Sequence, residues 1–194
     1  KDLLILPGVF NQPLVRCTKY AGIKVSISHS DHLAAALAFS DELSMGVDIE
    51  ETNPADCQSI NAIKSQLTET EKQLTIDPLP RSELPTLLWT AKESLSKALL
   101  VGLGVPYNIF EVNEVQRQGV FFTCHFRHFY QYRAISFRLL HHMCSVVYPS
   151  QTQLHFDIKA LTRYFHLQLL TVSRSFTSPV PTKRINSITT VGSN

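Results

Sequence analysis

The chain has 194 residues, 44% of them hydrophobic, with 18 Lys+Arg against 16 Asp+Glu for a formal net charge of +2. That length buries a sizeable core in one domain or in two small lobes, and no apolar run approaches the ~20 residues of a membrane span. The opening Lys1-Asp2-Leu3-Leu4-Ile5-Leu6 is too short for a secretory signal, and Cys17, Cys57, Cys124 and Cys144 lack Cys-x-x-Cys spacing, so reduced thiols in a cytosolic protein are expected rather than a zinc site or a disulfide scaffold.

In chain order, Val25 to Ser28 alternates apolar and polar and predicts a strand. Leu33-Ala34-Ala35-Ala36-Leu37-Ala38-Phe39 is short and alanine-rich, and local propensity favours a helix. Gly46-Val47-Asp48-Ile49-Glu50 reads as a strand with Asp48 and Glu50 on one face and Val47 and Ile49 on the other. Asn53-Pro54 supplies an N-cap and a proline at the first helical position, opening a helix through about Lys64. Thr68-Glu69-Thr70-Glu71 has the spacing of a capping box.

The main helix starts near Ser82; Leu88, Ala91, Leu95, Ala98 and Leu99 follow its period, and Gly102 ends it. Trp89, Glu93 and Lys97 share an adjacent stripe, where Trp89 is either a packing anchor or a ligand-stacking ring. Phe110–Val115, Val120–Phe126, Tyr132–Leu139 and Met143–Tyr148 predict four strands, the last closed by Pro149. His125 and His128, three apart in a strand, fall on opposite faces and make a poor metal pair, and His141 and His142 are no better. From about Ser173 the chain is rich in Ser and Thr, contains Pro179 and Pro181, and is expected to be disordered.

Charge is unevenly spread. Residues 1–114 carry 9 Lys+Arg against 15 Asp+Glu, or −6, and residues 115–194 carry 9 against 1, or +8. A cationic C-terminal part would attract nucleic acid, anionic lipid or an acidic protein. No RNA-binding motif or helix-turn-helix signal accompanies it, so nucleic acid is not the expected partner.

A carboxylate pair on one strand, with Glu93 and Lys97 a turn apart on a helix, suits a divalent metal bound to a phosphorylated ligand. Alone, an i,i+4 Glu–Lys pair is a common decoration of a solvated helix, and Asp-x-Glu commonly marks an exposed edge. A third segment, Val25-Ser26-Ile27-Ser28-His29-Ser30, precedes both, and no surface argument predicts that ordered set.

Ser28-His29, then Gly46-Val47-Asp48-Ile49-Glu50, then Trp89-Thr90-Ala91-Lys92-Glu93-Ser94-Leu95-Ser96-Lys97 resembles the 4'-phosphopantetheinyl transferases of the surfactin-synthetase-activating type. Gly102, Leu103, Pro106 and Phe110 add to the likeness, which covers about residues 8–150. The resemblance implies an α+β fold of two similar α/β lobes related by a pseudo-twofold, with coenzyme A between them. Only 28 residues precede His29, so the N-terminal lobe (1–53) is expected to be shortened. Residues 54–150 would form the lobe with the catalytic helix, and 151–194 an extension. It also implies a strand at residues 33–39, pairing with Val25–Ser28 as a hairpin.

By the same resemblance, Asp48, Glu50 and Glu93 hold Mg²⁺, Lys97 contacts the pyrophosphate, and Ser28 and His29 bind the 3'-phosphate of coenzyme A. Asp48, Glu93 and Lys97 form the catalytic set. Lys92 is either a further phosphate contact or a solvated side chain, and Glu71 a cap or a metal contact. The implied reaction moves 4'-phosphopantetheine from coenzyme A to a serine of an apo acyl or peptidyl carrier protein, with Glu93 or a neutral Lys97 as general base and the enzyme a monomer. Asn11-Gln12-Pro13 stands where the family has Gly-Lys-Pro; Gln12 brings no charge, and Arg16, Lys19 or Lys24 would have to supply it. A coenzyme A- or nucleotide-binding protein without turnover is the alternative.

Overall fold

A computed structural model of the chain describes residues 3–9, 11–30, 33–52 and 57–155, with single positions at 157, 160 and 163. The chain divides into two compact units, Lys1–Leu154 and His155–Asn194. In the second, Asp157 Oδ1 accepts a hydrogen bond from the Ala160 backbone N–H at 2.9 Å. The Asn53-Pro54 cap and the expected disorder after Ser173 lie outside the described residues.

The first unit begins with two antiparallel hairpins. Strands β1 (Leu3–Pro7) and β2 (Pro13–Cys17) pair with each other, as do β3 (Ile23–Ser30) and β4 (Leu33–Ser40). The alanine-rich segment is therefore a strand: its alternate residues Leu33, Ala35, Leu37 and Phe39 are half-buried, and pairing with β3 overrides helix propensity. No helix accompanies these four strands among the described residues, so a complete N-terminal α/β lobe mirroring the rest is not seen.

The rest is a five-stranded antiparallel sheet and its helices. Strands β5 (Gly46–Glu51), β6 (Val112–Gln118), β7 (Phe121–Phe126), β8 (Tyr132–Leu139) and β9 (His142–Pro149) are arranged in the order β5-β9-β8-β7-β6. Helices α1 (Cys57–Ser65), α2 (Glu69–Gln73) and α3 (Leu84–Ala98) fill the connection after β5. No described helix is long and apolar enough to cross a membrane.

Helix α3 packs on one face of the sheet. Leu87, Leu88, Ala91 and Leu95 are fully buried in one cluster with Cys124, Phe126, Ala134, Met143 and Val147. Each buried leucine contributes about 1.5–3 kcal/mol over an exposed one. The helix is shorter than its pattern predicts. Pro85 stands in its first turn, where the missing N–H costs nothing, and Leu99 caps it. Leu100 then takes φ +57°, so the chain leaves the helix before Gly102, the expected stop.

Small hydroxyls tie α3 to the sheet. Thr90 Oγ1 and Ser136 Oγ each lie 2.7 Å from Ser145 Oγ, and Ser94 Oγ donates to the Ser145 carbonyl at 2.9 Å. All four residues are fully buried. Ser145 is the cross-strand partner of Asp48.

Gly46 lets β5 lie directly on α3. A Cβ there would stand 2.0 Å from the Ser94 carbonyl oxygen and 2.9 Å from the Ala98 nitrogen, both backbone atoms that cannot turn aside. Gly46→Ala is expected to push strand and helix apart and to destabilise the protein by about 3 kcal/mol. A urea melt checks this, and an unchanged midpoint would remove the contact from the account.

Candidate active site

On α3 every residue is buried except Trp89, Glu93 and Lys97, which are half-buried and spaced four apart. One stripe of a core helix is thus open to a ligand. It faces the edge strand β5, whose front residue Asp48 is 2% exposed. Lys97 Nζ donates to Asp48 Oδ1 at 2.7 Å, which joins the two segments the sequence singled out.

Strand β3 runs beside β5 and reaches it through serines rather than through a backbone ladder. Ser26 Oγ accepts from the Val47 N–H at 3.1 Å, and Ser28 Oγ donates to Asp48 Oδ1 at 2.6 Å. Ser30 Oγ accepts from the Glu51 N–H at 3.2 Å and donates to Glu50 Oε2 at 3.1 Å. Residues two apart on a strand share a face, so this face points at the acids. His29 lies on the other face, exposed, and is not brought to Asp48.

Two further side chains complete the surroundings. The Tyr107 phenol donates to Glu93 Oε1, and its ring stacks on Trp89 with centroids 4.8 Å apart. Trp89 is thus a packing partner, although it also lines a cleft of about 530 Å³ with Glu50, Tyr107, Pro106, Ile63 and Gln66. A second cavity of about 540 Å³ includes Lys97 and Gln12 among mainly apolar neighbours such as Leu14, Val25 and Phe39.

Burial raises the acids. The Asp48 carboxyl is pushed above its ordinary value by loss of water, partly offset by Lys97 and Ser28. Glu93 is raised by burial, against the Tyr107 hydrogen bond that lowers it. Burial, then the charge of Asp48, push Glu50 up to about 7. A raised carboxyl stabilises the fold fully below its unfolded value of 4.5, and that contribution is lost as pH rises through 7. In chelator, Glu50→Gln is expected to match the parent near pH 4 and to exceed it near pH 8 by about 1 kcal/mol, a figure discounted because the carboxyl is partly exposed. Urea melts at the two pH values read this directly; equal stability near pH 8 would contradict it.

Lys92, expected to be either a phosphate contact or a solvated side chain, is not solvated: its amine is fully buried, donating to Glu71 Oε2 at 2.8 Å and to the Gln66 carbonyl at 3.0 Å. Burial without a partner would be prohibitive for an ammonium, and Glu71 is the partner. Glu71 also closes the expected capping box, accepting from the Thr68 N–H at 2.8 Å while Thr68 Oγ1 accepts from the Glu71 N–H at 3.2 Å. Its other oxygen takes the Val112 N–H at 2.9 Å, so both oxygens of this fully buried carboxylate are engaged by the protein.

Among the described residues, no three His, Cys, Asp or Glu side chains are assembled around one point to hold an ion. Each acid of the expected set is held by its own donor instead: Asp48 by Ser28 and Lys97, Glu50 by Ser30, Glu93 by Tyr107. The donor chemistry still fits a hard cation. All three ligands would be carboxylate oxygens, Asp48 Oδ2 is buried with no hydrogen-bond partner among the described residues, and Asp48 raises both Glu50 and Glu93 by its charge.

An acid-and-amine stripe on a buried helix, set against an acid on the edge of an antiparallel sheet, is a site built for charged ligands. A family model described as the 4'-phosphopantetheinyl transferase superfamily matches residues 44–147, more than half of the chain, and the chain belongs to that superfamily. It is therefore an enzyme of phosphopantetheine transfer. No curated protein matches the chain.

Tyr107 was not singled out from the sequence, and Gly46, Ser26 and Ser30 stood there within motifs but with no role of their own. The Ser26-x-Ser28-x-Ser30 spacing was a usable signal for one polar strand face. For Tyr107 nothing but its place between Pro106 and Phe110 pointed inward.

Proposed function

We propose that the protein transfers the 4'-phosphopantetheine group of coenzyme A to a serine of an apo acyl or peptidyl carrier protein, in a Mg²⁺-dependent reaction that releases adenosine 3',5'-bisphosphate. The observation that carries this reading is the Lys97–Asp48 pair, which sets a cation and an acid from two elements beside Glu93 in a chain of this superfamily. Asp48, Glu50 and Glu93 are the residues that would hold the ion. Mg²⁺ typically takes one or two carboxylates plus phosphate oxygens and keeps waters, so a site without a complete protein cage is suited to it. When bound, it would offset the charge of the diphosphate.

The residues then divide the work. Lys97 stands as a fixed cation against charge developing on the departing bisphosphate. The carrier serine Oγ forms a bond to the pantetheine-side phosphorus as the bond from that phosphorus to the bridging oxygen breaks, and the serine proton passes to a base. Glu93 is the better base because Lys97 is committed to Asp48 as an ion pair. Ser28 holds Asp48 in place; His29, exposed at the end of β3, is free to meet the 3'-phosphate. Arg117, Arg127, Arg133 and Arg138, with no acid among residues 115–154, favour an acidic carrier as partner.

Incubation of the full chain with coenzyme A, Mg²⁺ and an apo carrier, read by mass, tests the reading. A carrier that gains one phosphopantetheine supports it. Coenzyme A bound with the carrier mass unchanged would mark a binding protein instead.

A further inference from the structure

We propose that Tyr107 is a positioning residue that acts through Glu93: its phenol holds Glu93 against the incoming cation and so sets how tightly the acidic site takes Mg²⁺. The inference rests on the metal site proposed above. It starts from a pairing that neither packing nor the family match requires.

Tyr107 opens a short 3-10 turn, Tyr107–Phe110, just after Pro106. Its ring is fixed on two sides, stacked on Trp89 at an interplanar angle of 29° and edge-on to Phe110 at 79° with centroids 5.7 Å apart. At 6% exposure the ring has little room to move. The hydroxyl is therefore aimed by the aromatic stack, and it is aimed at Glu93 Oε1. A hydroxyl so placed could have been satisfied by a backbone carbonyl; here it occupies one oxygen of a candidate ligand.

The consequence follows from what the other acids do. No three acids converge on one point among the described residues, so Glu93 must shift to join the other two around an ion, and the phenol on its Oε1 resists that shift. Mg²⁺ is exacting in its geometry and gains least from a carboxylate oxygen already engaged. The phenol thus competes with the ion. Phe at position 107 keeps the ring contacts and removes the competitor, together with the hydroxyl's contact to Ser96.

The test is calorimetric titration of Mg²⁺ into the full chain with saturating coenzyme A, for the wild type, Tyr107→Phe and Glu93→Gln. A hydrogen bond to a charged group corresponds to about tenfold in an equilibrium constant, so Tyr107→Phe is expected to bind Mg²⁺ about tenfold more tightly. Glu93→Gln is expected to bind it more weakly. In the wild type, fluorescence of Trp89, the one tryptophan of the chain, is expected to change as Mg²⁺ is added and the stacked phenol loses its partner. Equal or weaker binding by Tyr107→Phe, with Glu93→Gln still impaired, overturns the inference and leaves the metal site standing. If the wild type takes up no Mg²⁺, or Glu93→Gln takes it up equally well, the metal site itself fails and the inference falls with it.

Discussion

Asp48→Asn is expected to lower the rate of carrier modification by at least about a hundredfold, the scale of removing a preorganised charge from a reaction centre. Asn keeps the size of Asp48 and an oxygen that can accept from Ser28 Oγ, so β3 and β5 stay joined. What it loses is charge. Lys97 is then without its counter-ion, and the buried Oδ2 position no longer offers an anionic oxygen. Stability should change little, because ionised Asp48 already opposes folding through its lost hydration, as its raised pKa records. Rates of carrier mass gain at saturating coenzyme A and Mg²⁺, beside a thermal melt, separate the two effects. A variant that melts like the parent and transfers at the parental rate would remove Asp48 from the chemistry.

The second large effect is on the fold. Lys92→Met is expected to cost about 3–5 kcal/mol, because it strands the Glu71 carboxylate in a site with no exposure. For a chain of this size that corresponds to a fall in Tm on the order of 10 °C. Adding Glu71→Gln should recover part of the loss, since it removes the stranded charge while its single amide oxygen still accepts from one of the Thr68 and Val112 N–H groups, which meet different oxygens of Glu71. The double variant is also expected to keep its transfer activity. If it folds normally and yet loses transfer, Lys92 has a direct part in the reaction that its burial argues against. Glu71 and Lys92 together tie α2, the start of β6 and α3 into one block, so the site helix is braced from behind by charge.

Which parts of this were visible in the residues follows from the range of the forces involved. The α3 stripe was legible because helical period alone places Trp89, Glu93 and Lys97 on one line, and the core leucines on another. The acids of β5 were legible for the same reason, through strand alternation. Leu33–Ser40 was not legible from propensity, since its alanines favour a helix; the partner strand decides it. The Lys92–Glu71 pair was not legible, because the neighbours of Lys92 in sequence say nothing of Glu71, twenty-one positions earlier, and Glu71 read locally as a cap or a metal contact. Tyr107 was invisible because its effect depends on a turn that aims one hydroxyl. Local periodicity is written in the sequence, whereas the meeting of distant polar groups is settled by the packing that surrounds them.

Ser145 gives the hydroxyl cluster a further meaning. It sits across from Asp48 in the β5–β9 pairing, and the same residue grips α3 through both its side chain and its carbonyl. Were α3 to slide along its axis by one residue, Thr90 and Ser94 would both miss their mates and leave stranded hydroxyls in a dry interior. An oily interface alone would tolerate such slippage. These few oxygens act as the notch that keys the helix to the strand, so that Glu93 and Lys97 arrive level with Asp48 each time the chain folds.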